Sequence, residues 1–360
     1  MNKSRGGWLH ARTLMRRRLR VEPLVDVHLD RWPYPACVAG IGVILNPKSG
    51  RNLRDPGAAS RLARTLGDHG VLREAGSIDE LYRIAEDFRD VDIDVLAISG
   101  GDGTNHVTLT GFLDVYGGAT MPQVALLRGG TMNTVANSVG VGHGRPDGLL
   151  GRLVRDYARR GALELENVER HVMRIAPLAG GKPGYGFLFG TGVVHGFLAE
   201  YYRAGGGDPS PLVALKTLTR AIGSALLGGE TIRRIAKPFR GSVVLDDGAS
   251  WPERDFLAVA AGTISQIGLQ FKPFYRYMDR PGHFHLLGIH ASSLSFVREL
   301  PRIHRGKPMR EGKALEALTS RAIVRSSDGR VQFMIDGDLH ECDGDLEVAI
   351  GPSVRLVVMR

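Results

Sequence analysis

The feature that most constrains this chain is a unit that occurs three times in its first half: an apolar run, a turn-forming cluster and a segment with helical periodicity. The apolar runs cover residues 38–45, 93–99 and 123–127, and the clusters that follow them cover 46–50, 100–104 and 128–133. Short apolar runs are typical of buried strands, and strands that alternate with helices predict a mostly parallel α/β sheet. Ligands bind such sheets beyond the carboxyl ends of the strands, so we expect the three clusters to meet at one edge.

Helix start signals lie between these units. Asp55 followed by Pro56 has the form of an N-cap and a first helical residue, so we predict a helix that starts there and ends near Gly67. Ser77 and Glu80 have capping-box spacing ahead of a second helix. Further helices are predicted after the second and third clusters.

The second half of the chain has a different pattern. After a predicted helix at 147–160, the hydrophobic period shifts toward two, which is typical of strands. The segments with this pattern are 171–177, 241–245, 256–260, 283–289, 321–326 and 331–335. The region 201–228 is expected to include helix, so we predict a β-rich domain with a helical insertion.

These patterns predict four parts. They are a basic, flexible extension (1–36), an α/β domain (37–162), a β-rich domain (163–345) and a last strand (346–360) that could return to the N-terminal domain. The first twenty residues contain seven basic and no acidic side chains. Such an arm is attracted to anionic lipid surfaces, and a solvated tail without structure fits the same composition equally well.

The composition narrows the functional classes. A formal net charge of +9 favours an anionic partner, such as an acidic membrane surface or a phosphorylated substrate. We expect no nucleic-acid partner, because no recognition motif accompanies the charge. The two cysteines, Cys37 and Cys342, do not make a disulfide framework, so a cytoplasmic setting fits. No apolar run is long enough to cross a bilayer.

The cluster Gly100-Gly-Asp-Gly-Thr104 is the strongest candidate for a phosphate site. A Gly-rich loop between a strand and a helix N-terminus presents backbone N–H groups and a partial positive charge to an anion. Asp102 would repel phosphate unless it holds Mg²⁺, directly or through water, or orients an attacking hydroxyl. Alone, the cluster is equally well interpreted as a tight turn with a capping Asp.

The ordered set of clusters resembles a known family. Asn46-Pro-Lys-Ser-Gly50, Gly100-Gly-Asp-Gly-Thr104 and Gly129-Gly-Thr-Met-Asn133 look like motifs of the diacylglycerol kinase catalytic-domain superfamily, which includes bacterial soluble lipid kinases, sphingosine kinases and ceramide kinases. Near the C-terminus, Ile335-Asp-Gly-Asp338 is similar to the Asp-Gly-Glu segment of that family. The resemblance covers about residues 38–360.

The resemblance implies a fold, a reaction and a set of site residues. The fold is an α/β N-terminal domain that binds the nucleotide (37–162), as in NAD kinases and diacylglycerol kinases, followed by a C-terminal β-sandwich that takes the lipid substrate (163–345). The reaction is ATP-dependent phosphorylation of a lipid hydroxyl, with Asp338 as general base and Asp102 at Mg²⁺-ATP. The positions expected at the nucleotide are Asn46, Lys48, Ser49, Gly50, Gly100, Gly101, Asp102, Gly103, Thr104, Gly130, Thr131 and Asn133.

Three positions depart from the family pattern. Thr134 stands where the family usually has Asp, which puts the placement of the metal in doubt. Asp338 stands where the family has Glu, so the carboxylate is one methylene shorter. Arg280 interrupts the segment that resembles a structural metal site in bacterial members, so we do not predict that site. Whether Thr134 and Asp338 reduce activity is left open.

Several alternatives remain at this point. Diacylglycerol is the first acceptor we expect, with sphingoid bases behind it, in a role in phospholipid biosynthesis at the inner face of the membrane. An NAD kinase-like enzyme and a catalytically weakened nucleotide- or lipid-binding protein are the rivals. An oligomer is possible. The basic residues Arg233, Arg234, Lys237 and Arg240 could meet anionic lipid headgroups or form a solvated face.

Overall fold

The computed structural model describes residues 40–206 and 210–360. The predicted extension at 1–36, Cys37 and the start of the first predicted strand lie outside these residues. Among the described helices, none has the length and apolar character needed to cross a bilayer.

The strands fall into two sheets. They are β1 (Ile41–Leu45), β2 (Gly70–Glu74), β3 (Val95–Ser99), β4 (Gln123–Leu126), β5 (Asn167–Pro177), β6 (Gly184–Gly186), β7 (Leu188–Thr191), β8 (Phe239–Leu245), β9 (Ser250–Phe256), β10 (Ala258–Gly262), β11 (Phe284–Ile289), β12 (Ala314–Thr319), β13 (Arg321–Ser326), β14 (Arg330–Ile335), β15 (Asp338–Asp343) and β16 (Leu346–Val357).

The helices pack on these sheets. They are α1 (Gly50–Leu53), α2 (Ala58–Leu66), α3 (Ile78–Asp90), α4 (Asp102–Tyr116), α5 (Thr134–Ser138), α6 (Pro146–Arg160), α7 (Val193–Gly205), α8 (Pro211–Leu227), α9 (Glu230–Ile235) and α10 (Ser293–His304).

The first sheet joins a parallel half to an antiparallel half. Its main order is β2-β1-β3-β4-β16-β13-β8-β9, and β5 pairs with β16 and β6. The pairs β1–β3 and β3–β4 are parallel, as predicted from the alternation of strands and helices. The pairs β1–β2 and β4–β16 are parallel as well. The strands β1 and β3 are buried along their whole length because helices cover both faces.

The antiparallel half packs against the second sheet, whose order is β12-β11-β10-β7-β14-β15. Alternate residues of both sheets point into the shared core, such as Phe284 and Leu286 of β11 and Leu346 and Val348 of β16. The fold class is therefore confirmed: an α/β domain with a mostly parallel sheet precedes an antiparallel, β-rich domain.

One helix start was predicted wrongly. The chain forms the short α1 at Gly50 and then turns, so α2 begins at Ala58 with Gly57 as its N-cap. Asp55 lies in the turn, where its backbone N–H donates to Asn52 O and its carboxylate pairs with Arg61. The capping box of Ser77 and Glu80 is confirmed.

Some elements were joined or missed in the prediction from the sequence. The predicted strand at 256–260 divides at Leu257 into β9 and β10, which belong to different sheets. The helix α10 and the strand β2 had no signal that we interpreted. The aromatic stretch at 185–202 contributes to the core through Phe187 and Phe189, which are fully buried.

Candidate active site

Asn46 joins the first cluster to the second. Its backbone N–H donates to Ser99 O (3.1 Å), and its side-chain Nδ2 donates to Thr104 Oγ1 (2.9 Å). Asn52 reinforces this junction, since its Nδ2 donates both to Asn46 O (3.0 Å) and to Ser99 O (2.8 Å). The ends of β1 and β3 are thus tied together by two buried or half-buried amides.

Glycines bring the third cluster against the other two. A Cβ atom placed on Gly130 would lie 2.2 Å from Gly101 Cα, and one placed on Gly50 would lie 2.9 Å from Thr131 Oγ1. Such distances leave no room for a side chain on Gly130, so glycine is required for this close approach. The three clusters meet at one sheet edge, as expected, and we call residues 46–50, 100–104 and 128–133 the cradle.

Other residues that are predicted to contact the nucleotide form hydrogen bonds within the protein in this structure. Lys48 Nζ donates to Gly76 O (2.7 Å) and Ser49 Oγ donates to Gly129 O (3.3 Å). Asn133 has a left-handed conformation, with φ of 49°, and its Nδ2 donates to Gly130 O (2.9 Å). Their roles toward a nucleotide stay predictions.

The helix α4 begins inside the cradle, with Gly101 as its N-cap. Its first-turn N–H groups and the helix dipole face the space between the clusters, an arrangement that suits an anion. Asp102, the first residue of the helix, turns its carboxylate away toward α5. Its Oδ2 accepts from Thr134 N (2.9 Å) and its Oδ1 from Val135 N (3.2 Å).

Asp102 therefore caps the N-terminus of α5. Burial raises the pKa of this carboxyl, and the hydrogen bonds from the Thr134 and Val135 amides act in the opposite direction. A carboxylate in this position braces the third cluster against the second.

The turn between β14 and β15 reaches the cradle from the β-rich domain. A Cβ atom placed on Gly103 would lie 2.7 Å from Asp338 Oδ1 and 3.2 Å from Asp338 Oδ2. The Asp338 carboxylate thus packs directly against the first turn of α4. We call residues 336–338 the carboxylate turn.

Asp336, in the same turn, is buried and holds β7. Its Oδ1 accepts from Phe187 N (2.9 Å) and Leu188 N (2.8 Å). Its Oδ2 is buried and has no hydrogen-bond partner among the described residues. Burial, and then the nearby charges of Asp102 and Asp338, raise the pKa of Asp336 well above its usual range. These effects favour the protonated form of Asp336.

Two histidines near Asp338 were not singled out in the sequence. His106, one turn after Asp102 on α4, is buried, and its Nδ1 lies 2.7 Å from Tyr185 O. Its ring meets that of His340 edge to face, with centroids 5.3 Å apart. Burial lowers the pKa of His106, while the charge of Asp338 opposes this shift. Burial also lowers the pKa of His340 to about 3.

Tyr202 of α7 lies in the aromatic stretch at 185–202. Its hydroxyl donates to Gly337 O (2.6 Å), so α7 supports the carboxylate turn. Asn52, His106 and Tyr202 lack a local sequence signal for these roles, because each has a partner in a distant segment.

The described residues offer no preformed metal cage: none of them form a cluster of three or more His, Cys, Asp or Glu side chains suited to a metal. Each Asp102 oxygen accepts one amide N–H group and keeps a further lone pair. Mg²⁺ commonly binds one or two carboxylates together with substrate phosphates. In the segment that Arg280 interrupts, the Asp279 carboxylate forms a salt bridge with Arg276 (3.1 Å).

Comparison with known proteins identifies the first half of the chain. Residues 40–163 match the diacylglycerol kinase catalytic domain. This segment belongs to that family. The resemblance noted in the sequence is thus confirmed, and the diacylglycerol kinase domain implies a kinase-type phosphotransferase. The matched segment contains the three clusters of the cradle, and the carboxylate turn lies outside it.

Solved structures extend the likeness of fold to most of the chain. A diacylglycerol kinase from Bacillus anthracis str. Sterne superposes with a TM-score of 0.57 at 12% identity, covering 89% of this chain and 96% of the other. A second structure from that strain, described as a candidate diacylglycerol kinase, gives a TM-score of 0.62 at 14% identity, with the same coverage. At these identities the likeness shows the fold alone. No curated protein matches the sequence.

Proposed function

We propose that this chain transfers the γ-phosphate of ATP to a lipid hydroxyl group, with diacylglycerol as the first acceptor. The observation that carries the proposal is the contact between Asp338 and Gly103. It puts a carboxylate beside the helix N-terminus that best suits the phosphates. Phosphoryl transfer depends mainly on alignment and on charge stabilisation, with a carboxylate to accept the hydroxyl proton.

In the proposed reaction, the lipid oxygen forms a bond to the γ-phosphorus while the bond to the β–γ bridging oxygen breaks. Asp338 accepts the hydroxyl proton, and ADP leaves with the bridging oxygen. The first-turn N–H groups of α4 and the cradle side chains would hold the phosphates. Mg²⁺, bound to the phosphates, would neutralise part of their charge.

The environments of the three carboxylates support Asp338 as the base. Asp102 and Asp336 are buried, and each accepts two backbone N–H groups. Asp338 is half-buried, so a substrate can approach it. When neighbouring carboxyls have different environments, they can take different roles. If Asp336 is neutral, Asp338 carries the only negative charge of the carboxylate turn.

The proposal includes a place of action. A lipid acceptor and a net charge of +9 support work in the cytoplasm, in peripheral contact with the inner, anionic face of a membrane. ATP and a membrane lipid are then its partners, in phospholipid metabolism.

The test is an acceptor panel. The full chain is incubated with γ-labelled ATP, Mg²⁺ and vesicles that contain diacylglycerol, sphingosine or ceramide, and separately with NAD in solution. We expect label in phosphatidic acid above all. Label in NAD would instead identify an NAD kinase-like enzyme. Bound nucleotide with no labelled acceptor would overturn the proposal in favour of a binding protein without turnover.

A further inference from the structure

The helix α8 exposes a row of leucines to solvent. The exposed fractions are 67% for Leu212, 50% for Leu215, 63% for Leu226 and 88% for Leu227. Opposite them, Ala214, Thr217 and Ala221 are buried against the protein. At about 100° per residue, the four leucines share the outward half of the helix.

Basic side chains accompany the leucines. Lys216 and Arg220 are exposed on the same half of α8, and residues 211–227 contain no Asp or Glu. Over residues 211–237, which add α9, five basic side chains stand against one acidic side chain, a net charge of +4. Exposed leucines beside lysine and arginine are the pattern of a helix that lies in the surface of an anionic bilayer.

The leucine face lies one helix away from the carboxylate turn. α8 packs against α7 and α9, and Tyr202 of α7 donates its hydroxyl to Gly337 O. A bilayer in contact with α8 would therefore lie on the side of the β-rich domain from which α7 reaches Asp338.

We propose that the outward face of α8 docks onto an anionic lipid bilayer, with its four leucines in the interface and Lys216 and Arg220 at the headgroups. The inference deepens the proposed function, because a lipid kinase that docks there meets its acceptor close to the base. The leucines contribute a salt-resistant part of the binding and the basic residues a salt-sensitive part.

The experiment measures vesicle binding, which needs no catalysis. The full chain is mixed with vesicles of equal parts phosphatidylglycerol and phosphatidylcholine, or of phosphatidylcholine alone, and the bound fraction is measured by flotation. The main variant is Leu226→Glu with Leu227→Glu. The matched control is Leu163→Glu, since Leu163 is also 88% exposed but lies before β5. Circular dichroism checks that each variant is folded.

We expect the double variant to lose at least about a hundredfold in affinity for the mixed vesicles, since each buried leucine contributes roughly tenfold. The control should bind like the wild type. Lys216→Glu with Arg220→Glu should weaken binding at low salt and leave little difference at high salt. Leu227→Trp should show quenching by brominated lipid, whereas Leu163→Trp should not.

Unchanged vesicle binding by the Leu226/Leu227 double variant would overturn the proposal. If that variant instead converted a dimer to a monomer in light scattering while still binding vesicles, the leucine face would be an interface between two copies. Vesicle binding through α8 without lipid phosphorylation would leave this inference standing and sink the proposed function. Lipid phosphorylation, together with vesicle binding that does not depend on α8, would overturn this inference and leave the proposed function standing.

Discussion

The cradle and the carboxylate turn meet at the first turn of α4, but they are held in different ways. The cradle is fixed by short backbone contacts between glycines and by amide side chains that bridge neighbouring strand ends, such as Asn46 to Thr104. The carboxylate turn comes from the far end of the chain and is fixed by buried polar groups, Asp336 to β7 and Tyr202 to Gly337. Because different contacts hold the two regions, we expect that nucleotide binding and phosphoryl transfer can be disturbed separately.

The largest expected effect belongs to Asp338→Asn. Loss of a general base usually costs about a hundredfold to ten-thousandfold in rate, so we expect kcat for lipid phosphorylation to fall within that range. Initial rates with labelled ATP and diacylglycerol vesicles measure it. Asp343→Asn, at the exposed end of β15, is the control and should keep the wild-type rate. A rate for Asp338→Asn within a factor of a few of wild type would remove Asp338 from the chemistry.

Two glycine variants test whether the regions separate. In Gly103→Ala the new methyl group would lie 2.7 Å from Asp338 Oδ1. It therefore displaces the carboxylate, and a misplacement of about 1 Å costs on the order of a hundredfold in kcat. In Gly130→Ala the new methyl group would lie 2.2 Å from Gly101 Cα. We therefore expect the cradle to open and the affinity for ATP to fall.

Gly148→Ala on α6 is the control for both glycine variants, because a Cβ atom there meets no atom within 4 Å. ATP titration and turnover are measured on each protein. The separation of the two regions would be contradicted if Gly103→Ala and Gly130→Ala lost ATP affinity to the same extent.

Asp336 tests how the carboxylate turn is held. Asp336→Ala leaves the N–H groups of Phe187 and Leu188 without an acceptor, so we expect a loss of about 2–5 kcal/mol in the free energy of unfolding. Asp336→Asn keeps the accepting oxygen, and if Asp336 is protonated, its amide resembles the neutral carboxyl. Its cost should stay within about 1 kcal/mol. Urea unfolding at neutral pH distinguishes the two, and equal losses would show that the hydrogen bonds accepted from Phe187 and Leu188 do not account for the stabilisation by Asp336.

The smallest effect concerns pH. Burial lowers the pKa of His340 to about 3, from 6.5 in an exposed histidine. The unfolded chain therefore binds this proton first as the pH falls, and the folded protein loses stability below the unfolded pKa. Between pH 7 and 5 we expect the wild type to lose roughly 2 kcal/mol more than His340→Phe. Urea unfolding at both pH values measures this, with exposed His69→Phe as control. Equal losses in wild type and His340→Phe would contradict a neutral, half-buried His340.

The cradle could be predicted from the sequence because its signals are local. Each cluster directly follows an apolar run, and parallel strands bring their carboxyl ends together. Asn52 was missed because its role depends on the carbonyl groups of Asn46 and Ser99, which only the fold brings together. The helix start at Asp55 was wrong because α1 uses the residues just before it, which leaves Asp55 in a turn.

The contact between Asp338 and Gly103 could not be derived from spacing, since the two residues lie more than half the chain apart. Only the family resemblance brought Asp338 into the site. The pair of His106 and His340 had neither a motif nor a local pattern, and it exists because α4 packs beside the second sheet. Long-range packing of this kind is what the sequence patterns leave undetermined.

The central claim is that the cradle binds nucleotide and Asp338 performs the proton transfer. The most direct test is the affinity of folded Asp338→Asn for Mg²⁺-ATP, titrated by calorimetry on the same preparation that is assayed for turnover. The account predicts a wild-type dissociation constant together with the loss of lipid phosphorylation. Wild-type turnover, or a loss of ATP affinity as large as the loss of rate, would contradict it.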